Sequence, residues 1–360
     1  MMLRVWSILI VLLSGTGALF VSAQTDDSAL VISAETVQNL RSHIRLDFEA
    51  VRARGLSPGS GLFVTDADAS WVVSFANAPD EPPLSTAIVW DGQTGELQAT
   101  LFIGENQYDR ALSVSGELLA VARQDGAALF NLQEDALISE NVLPPLPEPI
   151  ITHVWFAPGD VICGETGPAA GGTSYVVCSD NRAAVAVPLG GLDVVRIGRV
   201  PLPLAVTAQE DGQVTRWNLA EGTPTATANA GDIAVFGAIN ISGNPFAPES
   251  GTHLAWRDPT SQALHLLDFQ TGQNQTLAAL DGDYIAHIQV ARGADVVFGI
   301  DPASARGTIS AWTVPDGTRY DLGAFRACTR QQPDMARVSP DGTALVIGCD
   351  EGLDIWRVQP

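Results

Sequence analysis

The chain has 360 residues, of which 46% are hydrophobic, and it carries a formal net charge of -22. All 19 of its basic residues are arginine. The acidic charge opposes binding to nucleic acid and to anionic membrane surfaces, and it either favours a cationic partner or serves solubility alone. Without lysine, the chain has neither the lysine of a Walker phosphate-binding loop nor a Schiff-base nucleophile.

The first 23 residues have the pattern of a signal peptide. Arg4 precedes an apolar stretch at residues 5–13, and Val21-Ser22-Ala23 offers small residues at the cleavage positions. An uncleaved N-terminal anchor is the alternative, although the apolar stretch is marginal against the roughly 20 residues that span a bilayer. We expect a secreted or extracytoplasmic protein in which residues 24–42 form a linker.

The N-terminal part of the mature chain predicts one short helix followed by a strand. Ser33 can cap a helix over residues 34–40 within the linker. Residues 43–48 alternate polar and apolar, with Ile44, Leu46 and Phe48 on one face of a strand.

A short β-rich run that ends in an aromatic residue or leucine recurs at an interval of about 44 residues. The residues at this signature position are Trp90 (followed by Asp91), Phe130, Trp217, Leu267, Trp312 and Trp356. They are separated by 40, 87, 50, 45 and 44 residues. The interval of 87 spans two periods, so one degenerate unit lies within it, around residues 174–178, and the series counts seven units.

Two series of turn sequences run in step with the signature position. The first contains Ser57-Pro58-Gly59, Ala157-Pro158-Gly159, Ala247-Pro248-Glu249 and Ser339-Pro340-Asp341-Gly342. The second precedes the signature strand and contains Gln124-Asp125-Gly126, Glu210-Asp211-Gly212 and Asp350-Glu351-Gly352. With the turn that follows each signature residue, every period has three turns, which predicts four short antiparallel strands in each unit.

The repeated unit resembles a WD40 repeat, and Trp90-Asp91 is its one literal Trp-Asp dipeptide. The chain departs from the family in having no Gly-His dipeptide upstream, which implies that the family's polar tetrad is absent from most units. The resemblance covers most of residues 43–360 and implies a scaffold for protein partners. Lactonase-like and sugar-binding propellers are the alternative relatives.

A ring of seven units would bury the apolar surface that single units expose. One four-stranded sheet cannot bury both of its faces, whereas seven sheets packed in a ring can. Because the chain ends just after the third strand of the last unit, the N-terminal strand would supply the missing outer strand and close the ring. We therefore predict an all-β protein in which residues 43–360 form a single seven-bladed β-propeller of four-stranded antiparallel blades.

Four cysteines in an exported chain suggest disulfides, for which three pairings are possible. Cys163 and Cys178 lie symmetrically about a loop, so an antiparallel hairpin would place them opposite each other. Cys328 and Cys349 both belong to the last unit. We predict the pairs Cys163–Cys178 and Cys328–Cys349, with four buried thiols as the alternative. The five histidines show no zinc-ligand spacing.

Two short motifs resemble functional sequences but fit turns or loops better. Residues 55–59 match a hydrolase nucleophile elbow, yet Pro58 has no N–H to donate to an oxyanion, so a hairpin turn is predicted. Residues 66–70 read Asp-Ala-Asp-Ala-Ser, like the start of a calcium loop, but Trp71 replaces the required glycine and Asn77 the bidentate glutamate. We predict a solvated loop there, with calcium as the one cation it would bind.

The sequence contains no catalytic, cofactor or metal motif in its required structural context. We therefore expect an exported, monomeric, non-catalytic scaffold that binds a protein or peptide through its loops. The alternative is a propeller hydrolase or lyase acting on a lactone or glycan, with carboxylates or a metal in the central channel. Three tryptophans outside the signature position, Trp71, Trp155 and Trp256, are expected to pack in the core rather than to form a ligand platform.

Overall fold

The protein is described here by a computed structural model. The described residues are 30–79, 85–104, 107–113, 115–123, 126–143, 151–157, 160–166, 173–179, 185–188, 204–208, 213–218, 223–229, 253–258, 263–268, 271–279, 285, 287–291, 293–301, 308–324 and 335–360. Within these ranges the chain forms 26 β-strands, one short helix, α1 (Glu49–Arg52), and a single 3-10 turn (Val37–Asn39). The predicted all-β class is confirmed.

Four antiparallel sheets each contain four strands that are consecutive in the chain. Sheet 1 contains β2 (Ser57–Thr65), β3 (Trp71–Asn77), β4 (Thr86–Asp91) and β5 (Leu97–Phe102). Sheet 2 contains β6 (Gln107–Leu112), β7 (Leu118–Arg123), β8 (Gly126–Asn131) and β9 (Ala136–Ser139). Sheet 3 contains β10 (Ile151–Ala157), β11 (Val161–Thr166), β12 (Thr173–Cys178) and β13 (Val185–Pro188). Sheet 6 contains β20 (His287–Val290), β21 (Val296–Asp301), β22 (Thr308–Thr313) and β23 (Arg319–Ala324).

The other sheets have three described strands or draw on both ends of the chain. Sheet 4 contains β14 (Leu204–Ala208), β15 (Gln213–Asn218) and β16 (Thr223–Asn229). Sheet 5 contains β17 (His253–Asp258), β18 (Ala263–Asp268) and β19 (Asn274–Ala279). Sheet 7 contains β24 (Met335–Val338), β25 (Ala344–Cys349) and β26 (Gly352–Val358), and its fourth strand is β1 (Leu40–Asp47).

The N-terminal strand pairs with the last strand of the chain, as predicted. Strand β1 runs antiparallel to β26 from Leu40 opposite Val358 to Asp47 opposite Gly352. The strand begins three residues before the predicted start at His43, because pairing with β26 already engages Leu40. The helix predicted over residues 34–40 is therefore wrong. A single 3-10 turn takes its place, and the Ser33 hydroxyl does not cap it.

The hydrophobic side chains pack between neighbouring sheets. The shared buried clusters join sheet 7 to sheet 1 (Val346, Ile355 with Ile88), sheet 1 to sheet 2 (Val73, Val89 with Leu119), sheet 2 to sheet 3 (Ala120 with Ile162), sheet 5 to sheet 6 (Leu264 with Val297) and sheet 6 to sheet 7 (Phe298 with Leu345). Strands in the middle of a sheet therefore have both faces covered. This explains the continuous apolar run at residues 344–349, where every residue is buried.

The aromatic signature residues stand at the ends of strands and pack toward the preceding sheet. Trp90 shares a buried cluster with sheet 7, Phe130 with sheet 1, Trp312 with sheet 5 and Trp356 with sheet 6. Leu267 is also fully buried. Trp217 lies in β15, and its side chain is outside the described residues. Asp91 accepts the backbone N–H groups of Gln93 and Thr94, both at 2.8 Å, and so shapes the turn after β4.

The predicted turn series is correct at its C-terminal members and wrong at its first. Residues 339–342 connect β24 to β25, and residues 350–352 lead into β26. Ser57-Pro58-Gly59 instead lies in β2, where Ser57 is opposite Asn77. Strand β2 is at the edge of its sheet, so the missing N–H of Pro58 can be tolerated there. The signal peptide at 1–23 and the turns at 158–159, 210–212 and 247–249 lie outside the described residues.

The predicted Cys163–Cys178 disulfide is present, between directly opposed residues of β11 and β12. Cys349 is also disulfide-bonded, and its predicted partner, Cys328, lies outside the described residues. Such bonds fit an oxidising, extracellular environment. In the part of the chain that the structure describes, no helix is long and apolar enough to cross a membrane.

Candidate functional site

The first strands of five sheets contact one another in succession. Strand β2 contacts both β6 and β24, β6 contacts β10, and β24 contacts β20. Polar side chains on these strands form what we call the inner-strand cluster: Asp109, Arg110, Gln289 and Arg337. This is the main concentration of charged and amide groups among the described residues of these strands, and it is the candidate functional site.

Two adjacent residues of β6 contact different neighbouring sheets. An Oδ2 atom of Asp109 accepts the backbone N–H of Val154 in sheet 3 at 3.1 Å. The guanidinium carbon of Arg110 lies 4.4 Å from the ring centroid of Phe75 in sheet 1, a cation–π geometry. Successive residues of a strand point to opposite faces, so this pair braces sheet 2 against both of its neighbours.

Arg337 and Gln289 bring sheets 6 and 7 into the cluster. The Oε1 atom of Gln289 lies 3.4 Å from the backbone N–H of Val338, and its Nε2 donates to the carbonyl of Ile288 at 2.8 Å. Burial lowers the pKa of Arg337, and the charge of Asp109 opposes that shift. A carboxylate of sheet 2 is therefore close enough to interact with an arginine of sheet 7, even though sheet 1 separates the two sheets in the chain.

The charges of the cluster suit binding better than proton transfer. Burial lowers the pKa of Arg110 to about 10, with the nearby Asp109 charge opposing, so the guanidinium stays protonated at neutral pH. Two arginines beside one aspartate make these four residues locally positive in an acidic chain. Such an arrangement can hold an anionic or polar group, and it also fixes the inner strands relative to one another.

The loop at residues 66–70 is a partly buried turn with no fully exposed residue, so the solvated loop predicted there is wrong. Asp66 is only 4% exposed, and its carboxylate accepts the Trp71 backbone N–H and the Ser70 hydroxyl, both at 3.0 Å. Asp68 accepts the Ser70 hydroxyl at 2.6 Å. The turn connects β2 to β3, and its carboxylate oxygens are used to hold the turn itself. Among the described residues, no group of three His, Cys, Asp or Glu side chains is placed to hold a metal.

The same turn is attached to sheet 7 through its backbone. The backbone N–H of Asp341 donates to the Ala67 carbonyl at 2.8 Å, and Nη2 of Arg357 donates to the Asp68 carbonyl at 2.9 Å. Burial raises the pKa of Asp66 to about 6, the charge of Asp68 adds to the increase, and the hydrogen bonds from Trp71 and Ser70 oppose it. The contact between sheets 1 and 7 thus contains a titratable group.

Two of the three tryptophans outside the signature position lie in the core, as predicted. Trp155 and Trp256 are buried, and the Trp256 ring stacks on His265 with centroids 5.2 Å apart. Trp71 is half-buried against the apolar cluster of sheets 1 and 2. None of the inner-strand cluster residues was predicted from the sequence. The sequence feature that could have identified them is a charged residue within a short first strand. Strand Met335–Val338 is an example, because apolar residues flank Arg337 there.

A scan against protein-family models finds no match to this chain, and a search of curated proteins finds none either. The function must therefore be inferred from the arrangement of the residues.

Proposed function

We propose that the chain is an exported, WD40-like, seven-bladed β-propeller that acts as a non-catalytic interaction scaffold. The observation that carries the proposal is the order in which the sheets pack. Buried clusters join sheets 5, 6, 7, 1, 2 and 3 in succession, so the last sheet in the chain lies against the first. A curved array of this kind is how propellers protect their sheet edges and faces.

Two further contacts support a WD40-like ring. Strand β1 completes sheet 7, so both ends of the chain are held in one sheet. The indole N–H of Trp90 donates to the Ser74 hydroxyl at 2.8 Å within the buried part of sheet 1. This hydrogen bond links the third strand of the sheet to the second and satisfies a polar group that would otherwise be costly to bury.

The chemistry of the inner-strand cluster favours a scaffold over the hydrolase or lyase alternative. Acid–base hydrolysis of a glycan requires two carboxyl groups about 5 to 9.5 Å apart. Within the described residues, the cluster presents Asp109 beside two arginines, and Asp109 is engaged by the Val154 N–H. The disulfide between Cys163 and Cys178 supports a location outside the cytoplasm.

Affinity capture combined with a turnover assay tests the proposal. The full chain, exported by its host and immobilised, would be incubated with the host's envelope and secreted fractions, with and without calcium. We expect a protein or peptide to be retained saturably, and no turnover of a panel of lactones and glycans. Hydrolysis that is abolished by Asp109→Asn but retained by an exposed control, Glu140→Gln, would instead establish the enzyme.

A further inference from the structure

The outer strands of the sheets differ in how they protect their free edges. Exposed strand edges are usually guarded by charged or polar side chains, which discourage pairing with another chain. Strand β1 exposes Arg41, His43, Arg45 and Asp47; β19 exposes Asn274 and Thr276; and β23 exposes Arg319 and Asp321. These edges follow the protective pattern.

Strand β9 at the edge of sheet 2 does not follow it. Its two central residues, Leu137 and Ile138, are 43% and 52% exposed, and the strand contains no charged residue. Strand β9 is the last strand of sheet 2 and, among the described strands, it pairs with β8 alone. The pairing register shifts between Leu129, opposite Ser139, and Phe130, opposite Leu137, so Ile138 is an extra residue in a bulge of β9. A strand added to this edge would meet these two exposed apolar side chains.

The charged residues next to β9 in the sequence are acidic. Glu134, Asp135 and Glu140 flank the strand and are exposed. Residues 124–150 contain five acidic residues and no basic one. A cationic segment would be attracted to this edge, whereas a second copy of the same acidic chain would be repelled.

We infer that β9 is a docking edge for an extended segment of a partner protein, with alternating basic and apolar residues, that adds to sheet 2 as a fifth strand. Backbone hydrogen bonds from the free edge of β9 would hold the segment. Leu137 and Ile138 would contact its apolar side chains, and the flanking carboxylates would attract its basic ones. The inference rests on the proposed scaffold function, because it specifies one class of partner for it.

A labelled synthetic peptide of four alternating Lys-Val pairs is the probe, and its binding would be followed by fluorescence anisotropy at physiological ionic strength. The matched peptide has the same sequence and charge but carries N-methyl groups on alternate backbone amides, which prevents it from pairing as a strand. We expect the first peptide to bind at least about tenfold more tightly than the second, because backbone hydrogen bonds supply much of the affinity in strand addition.

Substitutions on the protein test the location. Leu137→Lys and Ile138→Lys place the usual protective charge on β9 and should weaken peptide binding by about tenfold or more. The matched control is Phe102→Lys, which changes a residue that is 54% exposed on another outer strand, β5, and should leave binding within about twofold. All three positions are exposed, so circular dichroism and thermal unfolding should show folded variants.

Several results would overturn the inference. Equal binding of the two peptides would show that the attraction is only electrostatic. If Phe102→Lys weakens peptide binding as much as the β9 substitutions do, the peptide does not bind specifically at β9. If the unmodified chain self-associates and Leu137→Lys abolishes the self-association, the occupant of the edge is a second copy of the chain. If the unmodified chain binds vesicles and Leu137→Lys abolishes that binding, the occupant is a lipid surface. If a partner is captured from secreted fractions equally by the wild-type chain and Leu137→Lys, the scaffold function stands and the β9 inference fails.

Discussion

The contact between sheets 7 and 1 and the contact between sheets 1 and 2 are built from similar apolar residues but differ in their polar groups. Trp90 is buried against sheet 7 and Phe130 against sheet 1, each among valine, leucine or isoleucine side chains. The first contact also contains the turn at residues 66–70, whose backbone carbonyls accept three hydrogen bonds from sheet 7. The second contains the stacking of Arg110 on Phe75.

This difference suggests that apolar and polar contacts have different roles in joining the sheets. Apolar packing stabilises both contacts but tolerates small shifts between sheets. Directional hydrogen bonds at the 66–70 turn fix how sheet 7 meets sheet 1, where residues distant in sequence must find each other. Sheets 1 and 2 are neighbours in the chain, so a less directional contact is sufficient there.

The largest expected effect comes from removing an aromatic side chain from either contact. Trp90→Ala and Phe130→Ala should each lower the free energy of unfolding by about 3–5 kcal/mol, because each leaves a large cavity in a closed apolar cluster. Urea denaturation of both variants measures the losses. A loss below about 1 kcal/mol for Trp90→Ala would mean that sheet 7 does not pack tightly on sheet 1.

Asp66→Asn should stabilise the contact between sheets 7 and 1 above pH 6. The pKa of Asp66 is raised to about 6 from an ordinary 3.8, so the folded chain binds the proton more tightly than the unfolded chain. Stability due to this group is greatest at low pH and is lost as the pH rises through 6. At pH 8 the variant should be more stable by as much as about 3 kcal/mol, and the advantage should disappear near pH 4.

The measurement is urea denaturation of wild type and Asp66→Asn at pH 4, 6 and 8. Asparagine can still accept the Trp71 N–H, so the turn should be retained. The exposed substitution Glu140→Gln serves as the control for general charge removal. Destabilisation of Asp66→Asn at pH 8 would show that the ionised carboxylate supports the turn.

The smallest expected effect concerns the charged contact between sheets 1 and 2. The interaction of Arg110 with Phe75 should contribute about 0.5–2 kcal/mol, as expected for a partly desolvated cation–π pair. A double-mutant cycle with Arg110→Met and Phe75→Leu isolates that interaction from the loss of packing. A coupling energy near zero would assign Arg110 to the interaction with Asp109 alone.

Periodic features of the fold could be predicted from the sequence. The spacing of Trp90, Phe130, Trp312 and Trp356 predicted the strands whose aromatic residues pack between sheets, because each sheet presents the same face to its neighbour. The alternation after residue 43 reported β1, and the symmetric placement of Cys163 and Cys178 reported a disulfide. These predictions rest on local pattern and regular repetition.

The inner-strand cluster could not be predicted in this way. Asp109 and Arg337 are more than two hundred positions apart and occupy no repeated position, and only the packing of the first strands brings them together. The two wrong local predictions also arose because pairing between strands overrides a local sequence pattern. Ser57-Pro58-Gly59 matched a turn pattern but was taken into β2, and the helix expected over residues 34–40 gave way to the pairing of Leu40 with Val358.

Small-angle X-ray scattering of residues 24–360 tests whether the seven sheets close into one ring. A compact domain of about 340 residues should have a radius of gyration of about 20 Å. For a closed ring we expect this value together with the scattering profile of a short, flat cylinder. An elongated profile, with a radius of gyration larger by about a third or more, would show an open array of sheets and contradict the propeller.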